Sequence, residues 1–368
     1  MNIVLAGGGT AGHVNPLLAV AAELSKKSHS VTIVGTEEGL ETELVPAAGY
    51  QLETILRVPF PRRPNLYMLR FPAAFAAATK AAVALLEKTE ADVVIGFGGY
   101  VSTPFYRAAK KLNIPLAIHE QNARPGLANR LGARWADLVG LTFSGTPLEA
   151  KKGRTEVVGL PLRPAIHALA QNRATGLSDQ LRQKAAQSLG VNPELPTVVV
   201  TGGSLGALHL NEAFAAAVPT LPPELQVIHL TGKGKSGLVK DSVSKANRDN
   251  YLVLEYSMEM EQVLACADLV VCRSGAGTVA EMTALGLPAV YVPLPIGNGE
   301  QKLNAAEVVA AGGAKLVSDR DFSAKTIGDV VVPWALDKAR LQESALAAAR
   351  CGRRDAASSF ASLVEQLR

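Results

Sequence analysis

Cysteine is scarce in this chain, with three residues in 368: Cys266, Cys272 and Cys351, and no CxxC pair. That count argues against a disulfide framework or a cysteine-rich zinc site and leads us to expect a reducing compartment. Aromatic residues make up only 5%. Alanine and valine fill the apolar positions instead, as helices packed on parallel strands require. No unbroken apolar run reaches the roughly 18 residues needed to span a bilayer, and the nearest candidate, residues 72–86, is interrupted by Lys80. The amino terminus lacks a basic segment and a cleavage site, so no secretion signal is expected. Charge of one sign is also in short supply. The net value of +4 fits an anionic substrate or an acidic membrane surface, and no nucleic-acid partner is expected.

The length favours two domains. Short apolar runs alternate with longer helical patterns. Strands are expected at 2–6, 30–35, 92–96, 116–119, 138–141 and 156–158, and again at 197–201, 226–230, 251–254, 269–272, 289–293 and 314–317. Such alternation predicts an α/β protein built from two doubly wound parallel sheets. The two halves begin alike, each with a strand, a glycine turn and a helix. A boundary near residues 159–164, where Pro161 and Pro164 stiffen a short connector, gives domains 1–163 and 164–368. The final helical stretch, residues 338–368, can pack on either half.

A glycine turn behind a first strand lets backbone amides approach an anion, and the following helix adds its positive end. Gly7, Gly9 and Gly12 satisfy GxGxxG, a pattern that by itself also fits a dinucleotide site with Glu37 or Glu38 on a ribose. The second half repeats the turn as Gly202-Gly203-Ser204-Leu205-Gly206-Ala207. A third turn, Gly96-Phe97-Gly98-Gly99-Tyr100, follows the strand at 92–96. Three such turns at strand ends suggest a cleft that receives several phosphates.

Six ordered segments carry a resemblance. They are Gly8-Gly9-Thr10-Ala11-Gly12-His13-Val14-Asn15-Pro16, Gly96-Phe97-Gly98-Gly99-Tyr100-Val101-Ser102 and His119-Glu120-Gln121-Asn122-Ala123-Arg124-Pro125-Gly126 in the first half. In the second they are Gly202-Gly203-Ser204-Leu205-Gly206-Ala207, Cys272-Arg273-Ser274-Gly275-Ala276-Gly277-Thr278-Val279-Ala280-Glu281 and Glu300-Gln301-Lys302-Leu303-Asn304-Ala305. Along nearly its whole length the chain resembles the MurG family. Ala11 and Leu205 depart from it, standing where the family more often has glycine and glutamine. The resemblance implies a GT-B fold of two Rossmann-like domains facing an interdomain cleft. It implies an inverting transfer of N-acetylglucosamine from UDP-N-acetylglucosamine to undecaprenyl-diphosphate-linked N-acetylmuramyl-pentapeptide, in peptidoglycan synthesis. The donor falls to the second domain and the acceptor to the first, and no cofactor is implied.

The candidate site residues combine both lines of reasoning. His13, where the first helix begins, is a candidate general base near neutral pH. The resemblance agrees on acceptor handling, with Thr10, Ala11 and Gly12 beside it. Glu120 and Asn122 follow a strand end, where carboxylates and amides point into the cleft of an α/β fold, although loop capping explains an Asn equally well. By resemblance Asn122 binds substrate and Glu120 shapes the catalytic site, while His119 reads as a satisfied core residue. Gly9, Gly98, Gly99 and Tyr100 form the expected acceptor-diphosphate turns. Arg163 in the connector can hold a diphosphate and offset leaving-group charge. Glu281 is expected on the UDP ribose, although Thr278-Val279-Ala280-Glu281 also reads as a capping box. Ser204 is assigned to donor phosphates and Gln301 to donor sugar hydroxyls.

Asp319-Arg320-Asp321 matches a metal-holding DxD, but capping before Ser323 suffices and no metal is expected. Arg57, Arg62, Arg63, Arg70 and Lys80 lie among Phe60, Tyr67, Phe71 and Phe75. This mixture suits an anionic bilayer surface or an ordinary surface helix, and it places the protein peripherally on the cytoplasmic face of the plasma membrane. Two rival readings remain open: a dinucleotide-dependent oxidoreductase, which accounts for neither the second glycine turn nor His13, and a non-catalytic nucleotide-sugar or membrane binding protein.

Overall fold

A computed structural model describes residues 1–61, 67–203, 206–295 and 298–367. The chain divides into two compact units, Met1–Arg163 with Asp355–Arg368, and Pro164–Arg354. The strands of the first are β1 (Asn2–Ala6), β2 (Ser30–Gly35), β3 (Leu52–Thr54), β4 (Val93–Gly96), β5 (Leu116–Glu120), β6 (Leu138–Leu141) and β7 (Arg154–Val157). They form one parallel sheet in the order β3-β2-β1-β4-β5-β6-β7. The second unit holds β8 (Thr197–Thr201), β9 (Gln226–Leu230), β10 (Tyr251–Leu254), β11 (Leu269–Cys272), β12 (Ala289–Tyr291) and β13 (Ala314–Leu316). Its sheet is parallel in the order β10-β9-β8-β11-β12-β13.

The central strands are covered on both faces, which explains their unbroken apolar runs. β4, Val-Val-Ile-Gly, is wholly buried, and only Asn2 of β1 is not. The helix Ala11–Lys26 buries Val14, Leu17, Val20, Ala21 and Leu24, the stripe expected of a helix lying on a sheet. In both sheets the order reverses beside the first strand, between β1 and β4 and between β8 and β11. Open α/β sheets bind ligands at such a switch point, beyond the carboxyl ends of the strands.

Two features differ from the sequence reading. β3 has only three residues, none fully buried, at the edge of its sheet, too short and too polar to give a periodic signal. The carboxyl-terminal stretch is two helices serving different units. Lys338–Cys351 belongs to the second unit and Ala356–Glu365 to the first. The latter packs the fully buried Phe360 against His119 and Phe97, with ring centroids 5.2 and 6.4 Å apart. Glu365 meets Lys27 and His29 at 2.6 and 2.8 Å. The first unit therefore includes residues 355–368 as well as 1–163.

Candidate active site

Two glycine turns flank the switch point of the first sheet. Behind β1, Gly9 takes φ +86°, a backbone region that favours glycine. The helix Ala11–Lys26 then starts at Thr10, whose side chain caps nothing, so the first-turn amides of Ala11 and Gly12 have no intrahelical acceptor. Gly9, Thr10 and Gly12 are exposed and Ala11 is half-buried. Behind β4, Gly98 and Gly99 take φ +91° and +82°. A Cβ on Gly99 would stand 2.9 Å from the Gly8 carbonyl oxygen, and one on Gly98 3.3 Å from His13 Nε2. Ser102 joins the turns, its hydroxyl lying 2.8 Å from the Ala6 carbonyl and 2.7 Å from that of Gly98. Tyr100 is half-buried, and the Arg57 guanidinium lies 5.8 Å from its ring centroid.

His13 sits between these turns. Its Nδ1 is 3.2 Å from the Gly8 carbonyl oxygen and 3.3 Å from the Thr10 hydroxyl. A carbonyl only accepts, so Nδ1 carries the proton and Nε2 keeps its lone pair. Burial lowers the imidazole pKa, partly offset by the Gly8 carbonyl and by the charge of Glu41. His13 is thus a neutral imidazole near pH 7 with its basic nitrogen beside Gly98.

Glu120 is buried at 1% exposure. Its Oε1 accepts the Asn122 amide at 2.9 Å, and its Oε2 accepts the Gly126 amide at 3.0 Å and the Asn129 side-chain amide at 2.9 Å. Burial raises its pKa despite these donors. Asn129 in turn accepts the Tyr106 hydroxyl at 2.7 Å. Held by three donors and shielded from solvent, Glu120 braces the loop that carries the half-buried Asn122. His119 is fully buried, with Nε2 2.9 Å from the Gly159 carbonyl oxygen, and burial lowers its pKa to about 4. Arg163, half-buried, ends the continuous stretch of the first unit.

The second sheet has the corresponding pair of turns. Gly203 and Gly206 after β8 take φ +80° and +68°. The Gly203 amide donates to the Thr201 hydroxyl at 3.1 Å, and the Gly206 amide to the Gly203 carbonyl at 2.9 Å. Ser204 and Leu205, on this turn, lie outside the described residues. After β11, Gly275 is the N-cap of the helix Ala276–Leu285 and offers no side chain to its first amides. Thr278 is the third residue of that helix, so it is not the cap that the capping-box reading requires. Glu281 lies half-buried in the next turn. Gln301 Oε1 accepts the Leu294 amide at 2.9 Å, which braces the approach to the helix Glu300–Asn304. The buried Asn304 donates to the Ser274 carbonyl at 3.2 Å.

Asp319 forms an ion pair with Arg273, which also donates to the Val292 carbonyl at 3.0 Å. Asp321 accepts from Ser318, and Ser323 caps the next helix. The two carboxylates of the DxD pattern thus have separate protein partners. Among the described residues, no three His, Cys, Asp or Glu side chains cluster for a metal.

The basic-aromatic stretch is arranged differently from its sequence reading. Phe60, Phe71 and Phe75 pack on one another, with centroids 5.4 to 6.4 Å apart. The exposed apolar side chains are Leu56 at 68%, Met68 at 47% and Leu69 at 80%. Arg62 and Arg63 lie outside the described residues. The helix Tyr67–Lys88 is, by length and composition alone, long and apolar enough to cross a bilayer. The expectation from unbroken runs missed this because a helix tolerates a few charges along its length.

Glu41, Asn129 and Tyr106 brace the site and escaped the sequence reading, and the bracing roles of Ser102 and Asp319 were not foreseen. Only Glu41 carries a local signal, as an acidic residue in a first helical turn.

Two parallel Rossmann-like sheets, each with paired glycine turns at its switch point, are the two halves of a GT-B fold. Residues 3–141 match the glycosyltransferase family 28 N-terminal domain and residues 197–367 the family 28 C-terminal domain. The chain is 51% identical to the UDP-N-acetylglucosamine–N-acetylmuramyl-(pentapeptide) pyrophosphoryl-undecaprenol N-acetylglucosamine transferase of Bifidobacterium longum, covering 100% of this chain and 97% of that protein. The crystal structure of Acinetobacter baumannii MurG is similar over 99% of both chains, with a TM-score of 0.79 and 27% identity. A Neisseria meningitidis UDP-GlcNAc 2-epimerase shares the fold at TM-score 0.70 but only 15% identity, over 99% of both chains. This chain belongs to the MurG family within glycosyltransferase family 28.

Proposed function

We propose that this enzyme moves N-acetylglucosamine from UDP-N-acetylglucosamine to the undecaprenyl-diphosphate-linked N-acetylmuramyl-pentapeptide, inverting the anomeric carbon to give a β-1,4 linkage. The observation that carries this reading is His13, a neutral imidazole with Nδ1 held by the Gly8 carbonyl and Nε2 beside Gly98 at the switch point of the first sheet. His13 Nε2 takes the proton of the acceptor hydroxyl as its oxygen attacks the anomeric carbon. The bond from that carbon to the UDP oxygen breaks, and UDP leaves with the electron pair. Arg163 and the helix ends offset its charge.

The amides of Ala11 and Gly12, with Thr10, Gly98, Gly99 and Tyr100, hold the acceptor diphosphate. Gly9 contributes its turn, since its own amide is engaged by Glu41. Asn122 contacts substrate from the loop that Glu120 shapes. Glu281 accepts from the ribose hydroxyls, Gln301 reads the donor sugar and Ser204 the donor phosphates. The acceptor is lipid-linked, so the first unit works at the inner face of the plasma membrane. The exposed Leu56, Met68 and Leu69, with Arg70, support peripheral attachment there.

The test is UDP release from UDP-N-acetylglucosamine with and without a lipid-linked muramyl acceptor. Acceptor-dependent release is expected. Equal release in both conditions, or none in either, overturns the reading.

A further inference from the structure

Glu41 opens the helix Glu41–Ala47 and is fully buried. A buried carboxylate is costly unless donors satisfy it. Here Oε1 accepts the Thr36 amide at 2.9 Å and the Thr36 hydroxyl at 2.8 Å, and Oε2 accepts the Gly9 amide at 2.8 Å. All three donors are neutral. Burial works against ionisation, but the Gly9 and Thr36 donors outweigh it and hold the carboxyl pKa below its ordinary value. A Cβ on Gly8, Gly35 or Gly39 would overlap the Glu41 side chain. Three positions thus forgo side chains around one negative charge.

The Gly9 amide and the Gly8 carbonyl belong to the same peptide group. Glu41 accepts from its N–H, and its oxygen accepts from His13 Nδ1. The carboxylate polarises that peptide, and linked hydrogen bonds strengthen one another. We propose that Glu41 is a positioning residue for the transfer step: through the Gly8–Gly9 peptide it orients His13 and stabilises the imidazolium formed when His13 takes the acceptor proton. This rests on the reading of His13 as the base. The groups that also face His13 among the described residues include Gly8 and Thr10 on its own turn and, across from it, Gly98 beside the Asn129 amide, all uncharged, with Asn129 itself bonded to Glu120.

The experiment is acceptor-dependent UDP release by the full chain across pH, for Glu41→Gln, Thr36→Val and His13→Ala. Glu41→Gln is expected to lower kcat about tenfold to a hundredfold, as loss of a partner that orients a functional histidine does, with donor KM unchanged. Without the negative charge the imidazolium forms less readily, so the acidic limb of the rate profile moves to lower pH. Thr36→Val removes one donor but keeps the charge and the peptide link, and should leave the limb in place. A Glu41→Gln limb at the wild-type pH, or the same profile for both variants, overturns the proposal in favour of a purely structural role. An unchanged rate profile for His13→Ala overturns it by removing the base itself, a distinguishable failure. Nitrogen NMR of the wild-type imidazole is independent of variant folding: a neutral His13 protonated on Nδ1 supports the relay, and one protonated on Nε2 overturns it.

Discussion

Both units place glycine turns at a switch point, but they brace them differently. In the first, a buried carboxylate with neutral donors lies under the turn, and a histidine shares its peptide. In the second, an arginine neutralises a half-buried acid. Arg273 pairs with Asp319, and His229 is locked between Asn211 and Tyr251 at 3.0 and 2.8 Å, with burial lowering its pKa to about 3. A charge left without a counterion is costly, and it is useful where a proton must move. Compensated charges give a rigid frame, which suits holding a ligand. The contrast fits the proposed division of labour, with proton transfer in the first unit and donor binding in the second.

The largest test of this contrast is His13→Ala. Loss of a general base costs about 10²–10⁴-fold in rate, so turnover should collapse while UDP affinity, measured calorimetrically, stays near wild type. Matching losses in both would dissolve the division of labour. Phe360→Ala asks whether the returning helix is integral to the first unit. Truncating a fully buried phenylalanine costs about 3–5 kcal/mol. The chain should unfold at lower urea, and donor affinity of the still-folded protein should be unchanged. A midpoint at the wild-type value would show that the helix Ala356–Glu365 is only loosely docked.

Glu281→Ala sharpens the comparison from the other side. Hydrogen bonds to a charged group contribute about 1.5–3 kcal/mol, so donor KM should rise about tenfold to a hundredfold with the fold intact. Wild-type donor affinity would remove the ribose role. The smallest effect is expected from Arg70→Glu, which exchanges attraction for repulsion at an anionic surface. At about 1 kcal/mol per basic residue, binding to anionic vesicles should weaken severalfold, more so at low salt. Turnover of a short soluble acceptor should persist. Salt-independent vesicle binding equal to wild type would place the membrane face elsewhere.

Much of this site was legible because glycine requirements are local. A strand followed by residues that need positive φ marks a βα turn in any context, and Gly9, Gly98, Gly203 and Gly206 announce themselves in this way. Alternating apolar runs likewise determined two parallel sheets, since strands covered on both faces must be apolar throughout. The sequence by itself thus determined the architecture, the turns, the position of His13 at a helix start and the family. Tertiary structure decided what each polar side chain does, because hydrogen-bond partners are distant in the chain. Gly9 finds Glu41 32 residues on, and Arg273 finds Asp319 46 residues on. It decided that Glu120 supports its loop from a buried position, that Thr278 is not a cap, and that the chain's last helix returns to the first unit. No local pattern encodes these outcomes. Each depends on which donor, acceptor or apolar face the folded sheet brings within reach.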